Sequence, residues 1–109
     1  MIVNKMKTMN ENLGILVNSL NYFDHVIELA LAAHAKGKEV RIHLSLQGIF
    51  LMQDKNFDEL SQIASVTVCR ESLGSLDLPA EIGDMHGDLL VEPSKLSEVL
   101  ADCDRCVAF

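Results

Sequence analysis

Three cysteines and four histidines, with a scatter of small polar residues, are the side chains through which this 109-residue chain could do chemistry. Cys69 stands apart, because the apolar stretch Ser65-Val66-Thr67-Val68 runs into it and the helix-like Arg70-Glu71-Ser72-Leu73 follows. A thiol at a strand-to-helix junction faces free N–H groups and the positive end of the helix dipole. Both favour the thiolate, which is the nucleophilic form. Arg70 would add to that effect if its guanidinium folds back, and Glu71 would oppose it. The chemistry suggested is that of a sulfur nucleophile. Weighed without further context, a single cysteine beside two valines is more commonly a small buried hydrophobe.

The other thiols and the histidines carry less. In Cys103-Asp104-Arg105-Cys106 the first cysteine follows a helix end and is flanked by Asp102 and Asp104, which disfavours the thiolate that a redox Cys-x-x-Cys needs. A structural zinc needs four ligands, yet there is no second Cys-x-x-Cys and no His pair at metal spacing around His86, so no metal is expected, with an intersubunit metal site as the minor alternative. Cys103 reads as a surface or half-buried thiol and Cys106 as a buried strand residue. His34 falls on an apolar helix stripe and reads as a core or interface residue, His43 as a strand residue near an oligomer seam, and His25 as solvent-facing. Neither His43 nor His86 has a spacing that demands the role of general base beside Cys69. The loop Asn18-Ser19-Leu20-Asn21 could hold an anion at a helix start. It lacks the glycines of a dinucleotide or phosphate cradle, and it is read as a wall of the Cys69 pocket.

Bulk composition narrows the class. Nine Lys and Arg against 16 Asp and Glu give a net charge of -7 with the basic residues scattered, which points away from nucleic acid and anionic membranes as partners. No apolar run approaches the roughly 18 residues that cross a bilayer, and the start lacks the apolar stretch of a signal peptide, so a cytoplasmic location is expected. Three cysteines cannot form a fully paired disulfide scaffold. With no Trp, one Tyr and four Phe, the core must be aliphatic.

The elements that must position Cys69 can be read from periodicity. Residues 1–11 show no usable period and are set aside as a tail, leaving residues 12–109 as one domain. Leu13–Val17 reads as a buried strand, and a helix from Phe23 to Lys36 follows, with Asn21 as its cap and Gly37 as its stop. Val40–Leu44 alternates as a second strand. The nearly all-apolar Leu46–Gln53 must be buried in the core or in a subunit interface. Asn56 and Glu59 have capping-box spacing before a brief helix using Phe57, Leu60 and Ile63. After the Cys69 strand come a Gly- and Pro-containing loop over 74–88, with one helical turn at Pro79–Ile82, and a strand at Leu89–Val91. A helix from Pro93 to Ala101 and a last strand at Cys106–Phe109 close the chain. Alternating strands and helices across short links predict an α/β domain, a three-layer α/β/α sandwich with a mostly parallel five-stranded sheet. Ligands gather beyond the carboxyl ends of such strands, where Asn18, Ser45 and Cys69 could converge.

With these elements in order, the helix run Glu28 to Val40, the Gln47-Gly48-Ile49 turn, Val66-Thr67-Val68-Cys69 and the terminal Ala101-Asp102 and Val107-Ala108-Phe109 resemble the DsrE/DsrF-like family of sulfur-relay proteins. The resemblance spans roughly residues 12 to 109 and is carried by order and spacing more than by any one motif. It implies an α/β sandwich that assembles as a homo-oligomer (dimer, trimer or hexamer). It also implies a cysteine, matched here by Cys69, that takes sulfane sulfur from a donor protein as a persulfide and passes it to an acceptor protein without a cofactor. Asn18, Ser19, Ser45, Gln47 and Arg70 are the expected pocket residues. Two departures stand out: Gln47 where many relatives have an acidic residue, and Arg70 where many have glycine. Some members lack the active cysteine and serve as noncatalytic assembly subunits, which is the alternative expectation.

Overall fold

The computed structural model describes residues 12–75, 90–91 and 103–109. Strands β1 (Asn12–Val17), β2 (Glu39–Leu44) and β3 (Ala64–Cys69) are separated by helix α1 (Phe23–Ala35), a 3₁₀ segment (Leu46–Gln53) and helix α2 (Phe57–Ile63). Helix α3 (Arg70–Ser75), the two-residue strand β4 (Leu90–Val91) and strand β5 (Arg105–Ala108) follow. The sheet runs in the order β4-β3-β2-β1-β5, and every pairing in it is parallel. Of the loop expected over 74–88, Gly74 and Ser75 belong to α3 instead; residues 1–11, the rest of that loop with its helical turn, Leu89 and the helix expected at Pro93–Ala101 lie outside the described residues.

Pleating divides the sheet into two unlike faces. Leu13, Ile15 and Val17, Val40, Ile42 and Leu44, and Val66 and Val68 alternate onto one face and are all buried. Val26, Ile27, Ala30 and Ala33 of α1 and Leu60 of α2 join them in a single aliphatic cluster. Fully burying each of the larger side chains, among them Ile15, Ile42 and Leu44, contributes about 1.5–3 kcal/mol. The other face carries Arg41, His43, Ser65, Thr67 and, at its end, Cys69.

The helix ends differ from the capping expected from sequence. Tyr22 occupies the N-cap of α1 and makes no side-chain cap bond, so Asn21 does not cap it. Asn56 does hold the N-cap position of α2, but with φ -93° and ψ 1° it lacks the extended backbone a capping side chain needs, and the capping box does not form. Asp54 does this work instead. Its carboxylate accepts from the Asn56 N–H at 2.8 Å and its carbonyl accepts from the Phe57 N–H at 3.0 Å. At the C-terminus of α1, Lys38 N–H donates to the Ala33 carbonyl at 3.1 Å and Gly37 N–H to the His34 carbonyl at 2.9 Å, around Gly37 at φ +81°. This is a Schellman ending, and it stops the helix where Gly37 predicts.

Two burial expectations are corrected and a third is met. His34 is exposed, because the buried stripe runs through Val26, Ala30 and Ala33, and His34 sits about 100° round the helix from Ala33. Cys106 is exposed along with the rest of β5, an edge strand whose one neighbour among the described residues is β1. The Leu46–Gln53 segment is buried in the core through Ile49 and Leu51, one of its two expected placements, while Leu46 at its start is exposed. The other exposed large hydrophobics among the described residues are Leu20, Tyr22 and Val107.

Gly48 sits where the backbone leaves no room for a side chain. Its N–H donates to the Ser45 carbonyl at 2.9 Å, and a Cβ at this position would collide with the backbone carbonyl of Val17. A backbone obstacle cannot rotate away as a side chain can. Gly48→Ala is therefore expected to lower stability by about 2–3 kcal/mol, read as a lower denaturant midpoint. An unchanged midpoint would show that the 3₁₀ segment does not press on β1.

Candidate functional site

Parallel register builds the site. Val17, Leu44 and Val68 are aligned across β1, β2 and β3, so the next residues, Asn18, Ser45 and Cys69, form one row at the carboxyl edge of the sheet. With strands about 4.8 Å apart, that row spans about 10 Å. Each of its members is held by backbone bonds or strand pairing. Asn18 N–H donates to the Phe109 carbonyl at 2.7 Å, and Ser45 N–H to the Val17 carbonyl at 3.0 Å. Cys69 is the last residue of β3 and pairs with Val91.

Within the row, the Ser45 hydroxyl donates to the Asn18 side-chain oxygen, so two of the three expected residues meet directly. Cys69 is 7% exposed, flanked by the end of β3 and the start of α3. The remaining expected pocket residues are more scattered. Ser19 follows Asn18, and its hydroxyl oxygen is buried with no hydrogen-bond partner among the described residues. Gln47 is exposed on the 3₁₀ segment, and Arg70 is exposed at the first position of α3. Helix α3 touches both β3 and the 3₁₀ segment, which connects the Cys69 end of the row to the Ser45 end.

Two features of the site escape sequence reading. Leu46, immediately after Ser45, has φ +50°, a left-handed conformation that costs a residue with a Cβ, and its side chain is 59% exposed. Nothing in its residue type announces this. The second is His43, which is 2% exposed on the same face as Thr67 and Cys69. Its Nδ1 lies 2.8 Å from the Thr67 hydroxyl, which can donate to the neutral ring. Burial holds the imidazole below its ordinary value of 6.5, so near neutral pH the ring is uncharged. Register at His43 and Thr67 was readable only once the strands were paired.

The other thiols stand apart from the row. Cys103 is half-buried and Cys106 exposed. Among the described residues no group of three His, Cys, Asp or Glu side chains is placed to hold a metal ion. Nor is any helix there long and apolar enough to cross a membrane. A polar cavity of about 330 Å³ lined by residues including Glu39, Arg41, Gln62 and Ser65 lies at the amino ends of β2 and β3, the opposite end of the sheet from Cys69. No protein-family model matches the chain, and no curated protein matches it either.

The chemistry open to this row is that of a shielded thiol with hydroxyl and amide groups along one edge, and with a neutral imidazole deeper on the same face. The burial of His43 has a measurable consequence. In the unfolded chain the ring takes up a proton near 6.5, whereas the folded chain resists it, so stability present above 6.5 is lost as pH falls through and below that value. Denaturant unfolding at a series of pH values is expected to show this decline in the native chain, and His43→Gln is expected to flatten it. A decline of equal slope in both proteins would assign it to other groups.

Proposed function

We propose that this chain is a DsrE/DsrF-like sulfur-relay protein, a cytoplasmic α/β/α sandwich in which Cys69 carries sulfane sulfur as a persulfide between a donor and an acceptor protein. The observation that supports this most directly is the row Asn18, Ser45, Cys69. It puts a thiol at the carboxyl edge of an all-parallel sheet, where such sheets bind their ligands.

In the proposed step the Cys69 thiolate attacks the outer sulfur of a donor persulfide. A new S–S bond forms to Cys69 Sγ, the donor's S–S bond breaks, and the donor leaves as a thiolate. The reverse exchange, with an acceptor thiolate attacking the outer sulfur on Cys69, delivers it. No oxidant or cofactor enters either exchange. The low exposure of Cys69 suits a persulfide that must be kept from water and stray thiols.

That same burial supports a second reading, in which Cys69 is a core residue of a noncatalytic subunit. Both readings include self-association. The exposed Leu20, Tyr22 and Leu46 cluster around the loops that follow β1 and β2, a more suitable contact surface than the buried Ile49 and Leu51. Sedimentation at micromolar concentration is expected to give a mass well above one 12.0 kDa chain, and a strict monomer would remove the assembly from the proposal.

One variant separates carrier from scaffold. Cys69 is buried in either reading, so the hydroxyl of Cys69→Ser is expected to cost about 1–3 kcal/mol in both, and sulfur loading decides between them. A carrier loses a reductant-reversible gain of one sulfur atom, read by intact mass after exposure to a persulfide donor, whereas if Cys69 only fills the core, sulfur loading on Cys103 or Cys106 persists. That second outcome would overturn the relay.

A further inference from the structure

Leu46 carries two costs at once. Its left-handed backbone, at φ +50°, strains a residue with a Cβ, and its large apolar side chain is left 59% exposed. A leucine exposed on an unconstrained backbone needs no explanation. Here the Ser45 N–H bond to the Val17 carbonyl before it, the Gly48 N–H bond to the Ser45 carbonyl after it and the fully buried Ile49 beyond fix the turn that presents it. Strain of this kind clusters where function uses the position. Leu46 also adjoins the site. Ser45 stands next to Cys69 in the row at the carboxyl edge, and the 3₁₀ segment that Leu46 opens packs against α3, the helix that follows Cys69. Leu20 and Tyr22, both exposed, lie in the loop that begins at Asn18, to which the Ser45 hydroxyl is bonded.

Charge selects the occupant. Residues 12–23 and 42–53, which supply this part of the edge, contain no Asp, Glu, Lys or Arg, in a chain whose net charge is -7. Two copies of an acidic chain repel one another, and they meet with least penalty where both surfaces are uncharged. A basic partner would be drawn to the acidic remainder instead. We propose that Leu46 anchors an isologous contact with the same edge of a second copy, and that this contact closes over Cys69. Resting on the self-association common to both functional readings, the contact makes access to Cys69 depend on assembly.

Leu46→Asn tests this, because asparagine tolerates the left-handed backbone that strains leucine and offers no apolar anchor. In sedimentation of the full chain over a concentration series, the variant is expected to self-associate at least about tenfold more weakly than the native chain. Its denaturant midpoint, read at a concentration where both proteins are monomeric, is expected to stay level or rise. Alkylation of Cys69, followed by peptide mapping, is expected to slow in the native chain as rising concentration drives assembly, and to keep one rate in Leu46→Asn. Equal assembly of the two proteins overturns the proposal. So does native assembly in which Cys69 is alkylated as fast as in the monomer, or a midpoint of Leu46→Asn clearly below the native one. A native chain that stays monomeric throughout overturns the contact together with the self-association, whereas failure of the sulfur relay alone is read separately, by intact mass, and leaves the contact standing.

Discussion

The in-register parallel ladder of β1, β2 and β3 is the constraint on which the rest of this structure depends. Aligning Val17, Leu44 and Val68 decides at once which side chains reach the core and which residues stand together at the carboxyl edge. A slip of one residue would turn Ile15, Ile42 and Val66 out of the apolar cluster, a loss of several buried side chains at about 1.5–3 kcal/mol each. The hydrophobic pattern therefore enforces the register, and the register places the row of Asn18, Ser45 and Cys69 as a by-product.

The two faces of the sheet divide the work. One is aliphatic and continuous with α1 and α2, and it supplies the packing. The other buries a histidine and a thiol beside a half-buried threonine. His43 is stable there because it is neutral and its Nδ1 has the Thr67 hydroxyl as partner. A charged ring in the same place would need a counter-ion, so the polar character of this face is compatible with burial only in the uncharged form.

At the carboxyl edge, close approach and strain occur side by side. Gly48 lets the 3₁₀ segment lie against the Val17 carbonyl, and the preceding turn is reached only by placing Leu46 at positive φ. A conformation of that kind costs on the order of 1–3 kcal/mol. It is sustained by the bonds on either side of it, Ser45 N–H to Val17 and Gly48 N–H to Ser45, and by the buried Ile49 and Leu51 that follow. The same turn pins Ser45 against Asn18, so the edge loops after β1 and β2 are joined at the point where a ligand of the sheet would sit.

Much of this was legible in the residues. Short apolar runs ended by polar residues marked β1, β2 and β3 to within a residue or two, the Gly37 stop was readable because few residues accept positive φ, and Cys69 was recognisable as a strand end before a helix. Local signals failed where a neighbouring group outcompeted them. Asn21 and Asn56 have capping side chains, but Asp54 and the backbone took over the turn before α2. His34 and Cys106 fit apolar patterns, yet helix phase and an edge position left both in solvent. What the chain determined by itself was its periodicity, and with it the elements and their order, since these depend on neighbours a few residues apart. Which thiol is shielded, which histidine is buried, and that Asn18 meets Ser45 were decided only by tertiary structure, because each depends on residues brought together from distant parts of the chain by strand register and helix packing.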